Sequence, residues 1–242
     1  LKQKMKLVKP ILLIETGTAL CSVSLAKGTS IITSRSTAEP RAHASVLAPF
    51  IDEILKECQI TMKDCGAVAI SGGPGSYTGL RVGVSTAKGL CFGAGIPLIH
   101  VCSLELIAQL YIDKYMHKPP RYICPLIDAR RREVYTALFS VKDSVYGNMA
   151  FSESPVRSLE IQEDSFSDIL EQGTVLFTGD GAAKCKDWIV HDNALFFPMD
   201  SHADGMAKAA LKAFFSKDFA DLAYYVPYYL KEYRVAQPKK GV

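Results

Sequence analysis

The apolar positions of this chain keep two rhythms. Short alternating or unbroken apolar runs predict strands at Ile11–Glu15, Leu20–Ala26, Ser30–Ser36, Ala67–Ile70 and Ile96–Val101. Between them, Leu47, Phe50, Ile51, Ile54 and Leu55 keep i, i+3, i+4 spacing and predict a helix over His43–Cys58. Val46 widens its apolar stripe, and Pro49 marks a kink or a start near Ala48. Further helices are expected over Thr78–Phe92 and Ser103–Tyr115. Lys118-Pro119-Pro120 breaks the chain, and the pattern restarts. A strand over Tyr122–Ile127 is closed by Asp128, as the first strand is closed by Glu15. Then come a strand over Arg132–Val141, helical periodicity between Glu163 and Glu171, and a strand at Val175–Phe177. Gly179-Asp180-Gly181 opens a short helix; a strand at Ala194–Phe197 and a helix over Ser201–Phe215 follow. The order β-β-β-α-β-α-β-α thus occurs twice, less regularly the second time. It predicts an α/β fold of two similar lobes, 1–117 and 118–242, with a cleft between them and a final segment that packs back on the first lobe.

The stretch from Ala67 to Gly95 organises the first half. A buried strand turns sharply through Gly72-Gly73-Pro74-Gly75, and Ser76 or Thr78 can cap the next helix by accepting an orphan N–H. In that helix Gly79, Gly83, Ala87 and Cys91 recur every four residues and form one ridge. An interior glycine costs a helix about 1 kcal/mol against alanine, so a ridge of them implies close approach of something. Two readings follow: the ridge packs on its own sheet, or it meets a helix of a partner protein. The loop also has two readings. A glycine turn before a helix N-terminus suits an anion. A phosphate or nucleotide loop would enlist Glu15, Thr16, Gly72, Gly73, Gly75, Ser76, Thr78 and Asp128; a plain structural turn is the alternative. The P-loop lysine and the glycines of a nucleophile elbow are missing.

Composition narrows the chemistry. With 242 residues, 48% of them hydrophobic, the chain can bury a proper core, and a net charge of +3 does not mark a nucleic-acid binder. Seven scattered cysteines without C-x-x-C and five isolated histidines fit buried thiols in a reducing cytoplasm and disfavour a metal centre. The apolar run Ile11–Ile14 is too short for a signal-peptide core, and no run reaches membrane-spanning length. Met5 is read as the natural start. Arg130, Arg131 and Arg132 form either a solvated corner or a phosphate contact; Lys231, Arg234, Lys239 and Lys240 form a basic tail whose plain reading is solvation.

Four segments, ILLIETGTALCSVSL, HASVLAPFIDEIL, SGGPGSYTGLRVGVSTAKGL and PLIDARRREVYTALF, together resemble the bacterial TsaB family, helper proteins in making the threonylcarbamoyl-adenosine of tRNA. GPGSYTGLRVG is the most specific part, and YYLKEY looks like the family's closing segment with Lys231 where arginine is usual. The resemblance implies the two-lobed actin-like, sugar-kinase-like ATPase fold. It further implies a non-catalytic, cytoplasmic scaffold that dimerises with and stabilises the catalytic paralogue TsaD and recruits the ATPase TsaE. The complex would modify adenosine 37 of tRNAs reading codons that begin with A. ATP and metal would belong to the complex, none being required by this chain, which would touch tRNA only through the complex and form a homodimer when alone. The partner surface would be Val46, Leu47, Phe50, Ile51 and Ile54 of the first helix with Gly79, Leu80, Gly83, Val84 and Ala87 of the second. TsaD carries two metal-binding histidines, four apart, after a G-x-P-L-x-x-V strand; here Gly95–Val101 leads to Ser103 and Ile107 at those places. Serine is a poor ligand for such a metal and isoleucine none. The competing expectation is a small-molecule kinase or ATPase of the same fold, with Glu15 and Asp128 handling magnesium; a metallopeptidase would need H-E-x-x-H, which is absent.

Overall fold

The computed structural model describes residues 9–231. Met5, Arg234, Lys239, Lys240 and the last residues of the closing segment, Glu232 and Tyr233, lie outside them. The first sheet contains β1 (Ile11–Glu15), β2 (Cys21–Lys27), β3 (Ser30–Thr37), β4 (Ala67–Ser71) and β5 (Leu98–Val101), in the order β3-β2-β1-β4-β5. β2 runs antiparallel to β1 and β3, while β4 and β5 run parallel to β1. Such parallel neighbours need crossovers, supplied by α1 (His43–Glu57) and α2 (Tyr77–Ala94). Every residue of β1 and β4 is buried, which is why both read as unbroken apolar runs and not as alternation. Alternate residues of β1 enter different cores. Leu12 and Ile14 pack with Leu47, Ile54, Val84 and Ala87; Ile11 and Leu13 pack with Leu104, Ile107 and Met206 on the other face.

The second half repeats the plan. Its strands are β6 (Tyr122–Asp128), β7 (Glu133–Thr136), β8 (Phe139–Ser144), β9 (Gly147–Ser152), β10 (Arg157–Glu160), β11 (Val175–Thr178) and β12 (Ala194–Phe197). The order β10-β7-β6-β11-β12 matches that of the first sheet position for position, with the β8–β9 hairpin inserted beside β6. Two sheets of this order, joined in series, form the two-lobed actin-like fold. The single strand expected over Arg132–Val141 is split in two. After Thr136 the ladder is interrupted at Ala137–Leu138, where Leu138 N–H donates to Ser154 Oγ at 2.8 Å, and β8 continues in the direction of β7, antiparallel to β6, and pairs with β9. The helix anticipated near Glu163–Glu171 contracts to α4 (Ser167–Leu170), because Phe166 before it is left-handed at φ 71°. After Gly179–Gly181 comes α5 (Ala182–Cys185). The helix anticipated over Ser201–Phe215 is a 3-10 turn, Ala203–Met206, followed by α6 (Ala207–Ser216). α1 starts at His43 and carries Pro49 inside it.

The two halves exchange their last helices. α3 (Ser103–Lys114), which follows β5, packs on β6, β8 and β9 of the second sheet. α6, which follows β12, packs on β1 and β5 of the first. Ion pairs fasten the exchange: Lys208 to Asp113 at 2.7 Å, and Lys114 to Asp204 at 2.8 Å. Asp204 also accepts from Ser24 Oγ at 2.7 Å. Burial alone would raise the Asp204 pKa, but His202, Lys114 and Ser24 outweigh it and hold the carboxyl well below its ordinary range. No helix among the described residues is long and apolar enough to cross a membrane.

Candidate functional site

The lobes face each other across a cleft of about 620 Å³. The first lobe contributes the β1–β2 turn, Gly17–Ala19, and the start of α2; the second contributes Asp128, Arg130, Tyr135 and Asp180. Ser76 caps α2 by accepting from Gly79 N–H at 3.3 Å, and its own N–H donates to Gly17 O at 2.7 Å, so the helix start is pinned to the turn. In the second lobe the glycine loop is held to the strand itself: Gly181 N–H donates to Leu126 O of β6 at 2.8 Å. Thr18 lines the cleft with its hydroxyl buried and without a hydrogen-bond partner among the described residues.

The two strand-end acids differ. Glu15 is fully buried and does not line the cleft. Its Oε1 accepts from Gly17 N–H at 2.6 Å, while Oε2 has no hydrogen-bond partner among the described residues. Burial pushes its pKa up to about 7, against the pull of nearby Ser71 and the Gly17 N–H, and Asp180 adds to the rise. Asp128 is exposed, accepts from Arg130 N–H at 2.6 Å and pairs with Lys184 at 2.6 Å. Asp180 accepts from Asp128 N–H at 3.0 Å. A magnesium nucleotide needs accessible carboxylate oxygens beside held phosphates. This donor set does not fit one: the Glu15 carboxyl is sealed beneath the turn, and Asp128 is neutralised by a lysine. Among the described residues no three His, Cys, Asp or Glu side chains converge as metal ligands. The arginine run divides: Arg130 faces the cleft, and Arg132 lies over the Trp188 ring at 3.6 Å.

The glycine ridge requires a correction. Gly79, Leu80, Gly83, Val84 and Ala87, assigned above to a partner, are buried inside their own lobe. A Cβ on Gly79 would lie 2.0 Å from Thr16 O, and one on Gly83 2.2 Å from Thr16 Oγ1. Thr16 Oγ1 donates to Gly79 O at 2.8 Å, so the ridge exists to let the β1–β2 turn touch the helix backbone. Leu47, Ile51 and Ile54 are likewise core residues of the first lobe; Val46 and Phe50 are half-buried. Gly72 and Gly73 are also filled positions, against Tyr225 and Tyr228. Of the loop residues nominated for phosphate, Gly75, Ser76 and Thr78 line the cleft, whereas Glu15 and Thr16 lie behind it.

What the spacing missed is the opposite face of α2. Phe92 is 84% exposed, and a Cβ on Gly89 or Gly93 would meet nothing within 4 Å. With Leu90 and Ala94 these glycines border an apolar groove of about 450 Å³ against Thr61–Lys63. The signal was present: Gly89 and Gly93 are also four apart, beside an aromatic residue with no place in the buried stripe.

A family model described as TsaD, tRNA N6-adenosine threonylcarbamoyltransferase, matches residues 32–239. The tRNA threonylcarbamoyladenosine biosynthesis protein TsaB of Buchnera aphidicola subsp. Acyrthosiphon pisum is 31% identical over 153 residues, 63% of this chain and 67% of that one. The chain belongs to this family, in its TsaB group. The TsaB of Bacillus subtilis is 32% identical over 137 residues, 56% of this chain; the chain spans only about half the length of that relative, 57%. A solved structure described as an uncharacterized protein with similarity to peptidase YEAZ from Pseudomonas aeruginosa shares the fold, with TM-score 0.79 at 23% identity over 93% of this chain and 100% of that one.

In this TsaB-group chain, the positions compared above with the TsaD metal ligands carry structural tasks. Ser103 Oγ lies 2.7 Å from Ser71 Oγ and accepts from Gly73 N–H at 3.1 Å, which ties α3 to the glycine loop. Ile107 is fully buried in the core shared by the two sheets.

Proposed function

We propose that this chain is a non-catalytic scaffold in tRNA threonylcarbamoyladenosine biosynthesis. It pairs with a TsaD-like catalytic paralogue, stabilises it, and gives a TsaE-like ATPase its place in the complex that modifies adenosine 37. tRNA is met through the complex, in the cytoplasm, and the isolated chain self-associates. The observation that carries the reading is a contrast. The strand-end acids are committed inward or to Lys184, which suits neither a kinase nor an ATPase acting alone. Meanwhile α2 presents an open glycine and phenylalanine face. The partner surface is therefore Gly89, Phe92 and Gly93 with the groove the two glycines border against Thr61–Lys63, and not the inner ridge. Exposed apolar surface of this kind is an association site.

The test is co-purification with the paralogue and the ATPase, then tRNA modification with each component left out in turn. The scaffold reading expects modification to fail without this chain and the chain alone to turn over no ATP. Steady ATP turnover by the chain alone, or full modification in its absence, defeats it.

A further inference from the structure

After α6 the chain does not rejoin its own sheet. Ala220 N–H donates to Leu98 O at 2.9 Å, at the edge of β5 in the first lobe. Lys88 of α2 donates to Tyr225 O at 3.0 Å, and the Tyr225 hydroxyl meets His100 Nδ1 at 2.7 Å. Tyr228 N–H donates to Gly72 O at 2.7 Å. The glycine loop is shaped to receive this segment: a Cβ on Gly72 would lie 2.1 Å from the Tyr225 hydroxyl, and one on Gly73 2.5 Å from Tyr228 O. Tyr229 then packs on Tyr77 at the start of α2, with ring centres 4.7 Å apart. Finally the chain crosses to the second lobe. Lys231 pairs with Glu133 and lies 5.9 Å from the centre of the Tyr135 ring. Tyr229, Leu230 and Lys231 thereby line the cleft that Thr18 and Asp128 line from its two sides.

We propose that the segment from Ala220 to Lys231 is a strap over the interlobe cleft, anchored on the first lobe and latched on the second, which excludes molecules from the cleft while the latch is closed. The asymmetry of its contacts suits such a gate. The anchor is backbone hydrogen bonding over a glycine seat. Among the described residues the latch is one ion pair, about one-third exposed on both sides, with the same lysine over the Tyr135 ring. An exposed ion pair shifts an equilibrium only about two- to fivefold, and a cation over a ring at an exposed site by a similar factor. The latch therefore opens without unfolding either lobe, and whatever enters the cleft has only that small factor to overcome.

The test measures access to position 18. Thr18→Cys loses no side-chain hydrogen bond among the described residues, since that hydroxyl makes none there. Its labelling by N-ethylmaleimide is followed by peptide mass mapping, which separates it from the seven native cysteines. In that background Lys231→Glu, which sets like charges face to face, raises the labelling rate about fivefold. The charge swap, Lys231→Glu with Glu133→Lys, restores the slow rate. Equal rates in all variants overturn the proposal. If Lys231→Glu also lowers the melting temperature, the swap decides: a slow rate regained supports the latch, and a rate that stays fast overturns it.

Discussion

α2 carries glycines on two faces, and the faces could hardly differ more. On the inner face a methyl group has nowhere to go: the Cβ positions of Gly79 and Gly83 lie 2.0 and 2.2 Å from Thr16 atoms. On the outer face Gly89 and Gly93 have open space. The inner glycines have their cause within the chain, because they admit the turn that pins β1 to the helix. The outer ones weaken an exposed helix by about 1 kcal/mol each with no intramolecular return. The cause of the outer row is therefore sought outside the chain, and that difference assigns the two rows to different tasks.

The largest effect should come from the inner row. Gly83→Arg drives a charged side chain into Thr16 and Ile70, combining overpacking with a buried, unpaired charge. A loss of about 4 kcal/mol or more is expected, seen as a collapse of the thermal melt or as aggregation. A near-native melt with lost partner binding would return the inner row to the interface and erase the distinction.

The seal that the inner row makes has a second consequence. Glu15 sits beneath the turn and has its pKa raised to about 7 from 4.5. Between those values the folded chain holds a proton that the unfolded chain has lost, so ν_N exceeds ν_U and stability falls as pH rises from 4.5 to 7, then levels. The full loss is at most about 3 kcal/mol. Glu15→Gln keeps an acceptor for Gly17 N–H and removes the titration. Its stability should be flatter over that window and higher than wild type at pH 8, with most of the tRNA modification of the assembled complex retained. Urea titrations at several pH values measure the first; an unchanged slope would mean that water reaches the carboxyl and the inner face is not sealed. A hundredfold loss of modification in an intact complex would instead favour catalytic use of Glu15.

Much of the fold was legible because it rests on strong periodic signals. β1 and β4 are buried on both sides and read as unbroken apolar runs, and α1 and α3 carry large side chains at helical spacing. The ridge was legible as a ridge but not in its direction. Glycine and alanine have little hydrophobic signal, so a four-residue spacing cannot say which side faces the sheet; Leu80, Val84 and Cys91 inside and Arg81, Ser85 and Phe92 outside decide it. The interruption between β7 and β8 was hidden because both pieces are partly apolar, Ala137–Leu138 between them is apolar too, and the two keep one register against β6. Glu15 was recognisable as a strand-end acid, but its burial depends on residues distant in sequence: Glu15 Oε1, Leu80 and Ser103 all come within 4 Å of the one point a Cβ on Gly17 would occupy. The run to Lys231 showed the family's closing segment and was expected to pack back on the first lobe; its crossing to Glu133 of the second was hidden, because a strap is defined by what it crosses.

The outer row answers to binding. Phe92→Asp should leave the melt within a few degrees of wild type, since the ring is 84% exposed. It should weaken pairing with the TsaD-like paralogue about thirtyfold, roughly 2 kcal/mol, as expected for an aromatic anchor at an interface. A calorimetric titration beside a melt measures both. Unchanged affinity would move the partner surface off this face of α2.

The smallest effect discriminates most finely. Gly89→Ala adds a single methyl group to open space on an exposed helix. Helix propensity alone predicts a gain of about 1 kcal/mol, which for a chain of 242 residues raises the melting temperature by about 2–4 °C. The same methyl stands where a partner backbone would approach, so pairing should weaken severalfold although the chain is more stable. On the inner face the equivalent change, Gly79→Ala, must lower stability, because its Cβ would meet Thr16 O at 2.0 Å. Opposite signs at Gly79 and Gly89 mark only the inner face as filled by the chain; weaker pairing by the stabilised Gly89→Ala chain is what marks the outer face as a partner's. If Gly89→Ala stabilises the chain and leaves pairing unchanged, the outer glycines are not an approach surface, and the groove beside Thr61–Lys63 loses its partner helix.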